Sequence, residues 1–111
     1  MSTTPACALA ALLPDTPVKA TVEGEDVVIV RVGDEVYALR DECSHASISL
    51  SEGEVEDCEI ECFLHGSRFD LRTGKPVNPP ATVPVPAYPV TVSGDDVFVD
   101  VTTTLNQKEP A

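Results

Sequence analysis

The chain has no tryptophan and only five aromatic residues, three Phe and two Tyr, among its 111. Its core must therefore be aliphatic, and sixteen valines are available to build it. Basic side chains are also scarce. Seven Lys and Arg stand against nineteen Asp and Glu, for a net charge of −12. Binding nucleic acid needs cations to neutralise phosphates, so that class is excluded, and the same shortage disfavours adhesion to an anionic membrane surface. Long apolar runs are missing as well. The longest covers residues 6–13 and stops at Pro14, whereas a membrane-spanning helix needs roughly 18 apolar residues. No Lys or Arg precedes that run, so it makes a poor secretory signal. The expectation is a cytoplasmic chain. Ten prolines limit how much helix it can hold.

What is present reads as strand. The length suggests one domain, residues 1–111. Residues 1–20 look like a lead-in segment, with 6–13 forming a short helical turn. Val27-Val28-Ile29-Val30-Arg31-Val32 is β-branched. Gly33-Asp34 is a two-residue turn signal, and Glu35-Val36-Tyr37-Ala38-Leu39 resumes the strand. The pattern predicts a hairpin. A second hairpin is expected near the C-terminus, where Tyr88-Pro89-Val90-Thr91-Val92 leads to Gly94-Asp95 and residues 96–101 return with period-two alternation. Between them, residues 41–80 hold both histidines, three of the four cysteines and a stretch rich in Pro and Gly. That segment reads as a loop-rich subdomain. Within it, Val55 and Ile60 flank Glu56-Asp57-Cys58-Glu59 and predict a third hairpin.

The informative spacing lies in this segment. Cys43-Ser44-His45 is followed by sixteen residues and then Cys62-Phe63-Leu64-His65. The third hairpin folds the intervening stretch back, so the two Cys-plus-His pairs can converge. Two thiolates and two imidazoles complete the ligand set of a tetrahedral Zn²⁺ ion or of a Rieske [2Fe–2S] cluster, in which cysteines hold one iron and histidines the other. A common zinc finger takes its two Cys from one end and its two His from the other. Here each end supplies one of each, an arrangement suited to two inequivalent irons. Cys7 and Cys58 are left over and are expected to be free thiols.

The pattern C-x-H, sixteen residues, C-x-x-H, continued by Gly66-Ser67-Arg68-Phe69-Asp70 and Thr73-Gly74, resembles the Rieske-type ferredoxins of bacterial ring-hydroxylating oxygenase systems. The resemblance runs from about residue 18 to residue 101. It implies an all-β Rieske fold of stacked antiparallel sheets, with the cluster at the tip of the 41–80 subdomain. It implies one [2Fe–2S] cluster per chain, Cys43 and Cys62 on the inner iron, and His45 and His65 on the outer, solvent-near iron. It further implies a monomeric one-electron carrier, not an enzyme, that transiently meets an NAD(P)H-dependent flavoprotein reductase and a terminal oxygenase. An oxygenase α subunit would need a large additional domain with its own His and carboxylate ligands. A carrier serving another acceptor, such as iron–sulfur assembly, and a Zn-stabilised interaction module are the alternatives.

Departures from the family's high-potential branch carry information. That branch has an extra disulfide-linked Cys in each ligand loop, and the matching positions here are Ile48 and Leu64. It also uses a Ser and a Tyr hydroxyl to hydrogen-bond cluster and cysteine sulfurs. Ser67 fits the first and Phe69 lacks the second, so the expected potential lies low in the Rieske range of about −150 to +300 mV. The proline loop at Pro79-Pro80 would pack beside the cluster or serve as a rigid turn. Arg68 would pair with an acid such as Asp70. From Asp41 to Glu61 there are eight acids and no base, expected to form a solvated face that can also dock a basic patch.

Overall fold

Four consecutive fully buried residues, Val27-Val28-Ile29-Val30, mark the centre of the fold. They lie on β3 (Glu25–Val32). Side chains alternate between the faces of a strand, so an unbroken apolar run requires packing on both faces. Val28 and Val30 join one core with Leu39, Leu50, Ile60, Cys62 and Phe69. Val27 and Ile29 join another with Leu12, Ala38, Tyr88, Val97 and Val99. The computed structural model describes residues 5–42, 49–62, 66–77 and 84–102.

Three antiparallel sheets follow from this arrangement. The central one has the order β2-β3-β4-β8, with β2 (Val18–Val22), β4 (Glu35–Arg40) and β8 (Ala87–Tyr88). A second is β1-β10-β9, from β1 (Cys7–Ala8), β9 (Val90–Ser93) and β10 (Asp96–Val99). The third is β5-β6-β7, from β5 (Val55–Glu56), β6 (Glu59–Glu61) and β7 (Arg68–Asp70). The architecture is the expected all-β stack of antiparallel sheets, and the three expected hairpins are present. β3 and β4 turn through Gly33-Asp34 with Val32 opposite Glu35. β9 and β10 turn through Gly94-Asp95 with Ser93 opposite Asp96. β5 and β6 pair Val55 with Ile60 and Glu56 with Glu59.

Three details differ from expectation. Residues 18–22 are the strand β2, paired with β3 from Val18–Ile29 to Val22–Glu25, not part of a lead-in segment. The expected strand 88–92 divides at Pro89. Tyr88 pairs with Ala38 in the central sheet, while Val90 pairs with Val99 in the second. Proline has no N–H to donate to a ladder, so the chain changes sheets there. The last strand ends at Val99, after which the Asp100 carboxylate accepts the Thr102 N–H in a local turn. The short helical turn is confirmed as a 3-10 turn at Leu9–Ala11.

Candidate metal centre

The third sheet carries the second half of the ligand motif. β6 leads into Cys62 and β7 leaves from Ser67. The Cys62 N–H donates to the Ser67 carbonyl at 2.7 Å, and the Gly66 N–H donates to the Cys62 carbonyl at 2.9 Å. These two bonds join Cys62 to Gly66 and Ser67 at the ends of the β6 and β7 strands. Gly66 sits at φ 78°, a left-handed conformation that glycine adopts without penalty. Cys62 and Ser67 are both fully buried. The cysteine packs in the core beside Leu50, Ile60 and Phe69, so water is kept from it.

The first half of the motif is held at its two ends. Asp41 follows β4, and its N–H donates to the Asp26 carbonyl at 3.0 Å. Its carboxylate accepts the Ser51 N–H at 2.7 Å and the Ser51 hydroxyl at 2.8 Å. Ser51 belongs to the 3-10 turn Leu50–Glu52, whose Leu50 is fully buried against Cys62's core. Gly53 then passes so close to Glu61 that a Cβ at this position would overlap the Glu61 carbonyl oxygen. The Glu61 N–H also donates to the Glu54 carbonyl at 2.8 Å. The downstream end of the first ligand loop therefore lies against the residue that precedes Cys62.

Of the four expected ligands, only Cys62 lies among the described residues, where it is fully buried directly after β6. Cys43, His45 and His65 lie outside the described residues, as do Ile48, Leu64, Pro79 and Pro80. Among the described residues no cluster of three or more potential ligands occurs. The donor set itself, two thiols and two imidazoles, fits a cluster whose irons take Cys on one side and His on the other. The proline segment is framed by the Val77 N–H donating to the Arg68 carbonyl at 2.8 Å and the Val85 N–H to the Gly74 carbonyl at 2.9 Å.

The leftover thiols lie elsewhere. Cys7 is on β1 opposite Val97. Cys58 is at the β5–β6 turn, where it and Asp57 both have positive φ, 62° and 56°. Both are free, and burial pushes both thiols above their ordinary range. Arg68 pairs with Glu59 at 2.9 Å and approaches Glu56 at 3.9 Å. The expected partner Asp70 instead holds Arg72 at 3.3 Å. The acid run is not uniform either. Glu42, Glu52, Glu54, Glu56 and Asp57 are exposed, whereas Asp41 is 5 % exposed and belongs to the loop clamp. Its role went unread because an acid at the edge of an acidic stretch looks solvated. The available signal was its position: an acid and a hydroxyl residue bracket the C-x-H motif.

The chain also resembles known proteins. Residues 2–89 match the family described as Rieske [2Fe-2S] domain. The chain is 41% identical over 101 residues to the ferredoxin component of biphenyl 2,3-dioxygenase from Rhodococcus jostii (strain RHA1), covering 91% of this chain and 94% of that protein. The ferredoxin of carbazole 1,9a-dioxygenase from Nocardioides aromaticivorans IC177 superposes with a TM-score of 0.85 at 42% identity, over 89% of this chain and 97% of that one. A chain in the complex of reduced oxygenase and oxidized ferredoxin in carbazole 1,9a-dioxygenase superposes with a TM-score of 0.83 at 34% identity, over 96% of both chains.

Proposed function

Because the chain belongs to the Rieske [2Fe–2S] family, we propose that it is the ferredoxin of a ring-hydroxylating oxygenase system, taking single electrons from an NAD(P)H-dependent flavoprotein reductase and delivering them to a terminal oxygenase. It is an electron carrier of the ferredoxin-component type and carries one [2Fe–2S] cluster. Cys43 and Cys62 would hold one iron of the cluster, and His45 and His65 would hold the other. Residues 41–80 act as the cluster-binding subdomain of a single Rieske domain, and the carrier works as a cytoplasmic monomer. No helix among the described residues is long and apolar enough to cross a membrane.

The observation that carries this reading is the span of the likeness. The match to a dioxygenase ferredoxin component covers 94% of that protein's length, so it extends well beyond a shared cluster motif. When bound, the cluster supplies one-electron redox chemistry. The chain's own residues determine its surroundings. Leu50, Ile60 and Phe69 pack around Cys62 and keep water from the cysteine side. A partner would meet the histidine-ligated iron through a small and transient interface.

The test is reconstitution. The purified protein should hold two irons and two sulfides per chain. With a flavoprotein reductase, NADH and a biphenyl-type terminal oxygenase, hydroxylated product should form only when this protein is added. Cys43→Ser and Cys62→Ser should each abolish the visible spectrum, whereas Cys7→Ser and Cys58→Ser should leave it intact. Loss of the cluster in Cys58→Ser would overturn the ligand assignment.

A further inference from the structure

The buried carboxylate of Asp41 has no part in holding iron in the reading above, yet it sits at the foot of the first ligand loop. An aspartate this buried is rare unless it is paired, because removing a carboxylate from water is costly without strong compensating bonds. Here both oxygens are used, and both by one residue ten positions on. Oδ1 accepts the Ser51 N–H and Oδ2 accepts the Ser51 hydroxyl. Bonds to an ionised acceptor are shorter and stronger than neutral ones, and the two together fix orientation as well as distance.

Each end of this clamp is anchored in a different part of the fold. Asp41 is tied to β3 in the central sheet through the Asp26 carbonyl. Ser51 lies between Leu50, which is buried in the core that contains Cys62, and Gly53, which abuts Glu61. The clamp therefore links the central sheet to the small sheet through the two residues that flank the C-x-H motif in the sequence. We propose that Asp41 is a positioning residue for the cluster. Its two-pronged bond to Ser51 joins residues 41 and 51, which flank Cys43 and His45 in the sequence, and retention of the cluster depends on that join. This rests on the reading of Cys43 and His45 as ligands.

Charge and geometry can be separated by substitution. In Asp41→Asn the amide oxygen can still accept the Ser51 N–H, while the amide nitrogen donates to the Ser51 hydroxyl, which accepts as well as donates. The clamp survives without its charge. Asp41→Ala removes both prongs, and Ser51→Ala removes one.

The experiment uses the full-length holoprotein and its Asp41→Ala, Asp41→Asn, Ser51→Ala and Cys43→Ser variants. The readouts are electron paramagnetic resonance of the reduced cluster, the reduction potential, and the rate of iron release to a chelator. Asp41→Ala should shift the g-values and release iron about tenfold faster or more, as expected for lost bonds to a charged group. Ser51→Ala should change both in the same direction by less. Asp41→Asn should keep the parent's g-values and raise the potential, because a negative charge has been removed from beside the site. Parental g-values and iron release in Ser51→Ala would overturn the proposal, and this variant decides the matter if Asp41→Ala does not fold. An equal g-shift in Asp41→Asn and Asp41→Ala would also overturn it, since charge and not the join would then be responsible. A cluster retained in Cys43→Ser would instead overturn the ligand reading, a distinct result.

Discussion

Phe69 is fully buried in the core that contains Cys62, and its neighbour Ser67 is fully buried too. Residue 69 faces inward from β7, opposite Ile60, so a hydroxyl added there would enter the packed region around the cysteine. In Phe69→Tyr that O–H should bond a cysteine sulfur, which becomes a better acceptor when the cluster is reduced. A bond to a charged acceptor contributes about 1.5–3 kcal/mol, and only its difference between redox states counts. A differential of about 1 kcal/mol corresponds to roughly 40 mV, taking about 59 mV per tenfold for one electron. Protein-film voltammetry should show Phe69→Tyr raised by some tens of millivolts and Ser67→Ala lowered similarly, with the cluster kept in both. An unchanged or lowered potential in Phe69→Tyr would show that residue 69 does not address the sulfur. The two spare thiols offer a second test at this scale. Burial raises both Cys7 and Cys58, and only the thiolate is nucleophilic. In native holoprotein at pH 7 their alkylation by iodoacetamide should be slower than that of an unstructured cysteine peptide, and should accelerate only above the usual thiol range. Labelling as fast as the peptide at pH 7 would contradict this.

At the scale of elements, the hairpins were legible because their signals are local. Gly33-Asp34 and Gly94-Asp95 supply a left-handed glycine at the first turn position, with φ 61° and 62°. Asp57-Cys58 lacks that glycine, and the turn was readable only from the apolar residues on either side. β2 was missed because Lys19 and Thr21 face outward from a short strand at a sheet edge, leaving little apolar signal. The change of sheet at Pro89 was written in the sequence but needed the rule that proline cannot donate. The C-x-H and C-x-x-H spacing could be read from the sequence, yet the contact between Gly53 and Glu61 could not, since it depends on a glycine whose value lies in what its absent side chain permits. Gly53→Ala tests that contact. The added methyl meets backbone at Glu61, which cannot rotate away as a side chain would. Overpacking of this kind typically costs about 1–3 kcal/mol. The variant should melt several degrees lower and lose iron faster than the parent, whereas Gly94→Ala, where a Cβ meets nothing, should show only the milder cost of its φ and keep iron normally. Equal iron retention in the two would argue that Gly53 does not couple the ligand loops.

For the whole molecule, charge sets how partners are met. The net charge of −12 is unevenly offset, because Arg68 and Arg72 are engaged by Glu59 and Asp70 and Arg40 lies 3.7 Å from Glu42. Glu52, Glu54, Glu56 and Asp57 remain exposed on the segment that joins the two halves of the ligand motif. Such a surface should draw a basic partner patch toward the cluster end, and steering of this kind raises association rates by about 10–10³-fold at low salt. The screening length falls from about 30 Å at 0.01 M salt to about 10 Å at 0.1 M, so most of that gain should disappear across the interval. Stopped-flow reduction by the reductase should therefore slow by about tenfold or more between those concentrations, provided it is measured where the rate is second order. Neutralising the hairpin as Glu54→Gln, Glu56→Gln and Asp57→Asn together should flatten the salt dependence while leaving the cluster spectrum unchanged, because these side chains lie on the exposed face away from Ile60. A rate independent of salt in the parent would reject steering altogether. A steep dependence that persists in the triple variant would place the attraction on the rest of the surface and not on this hairpin.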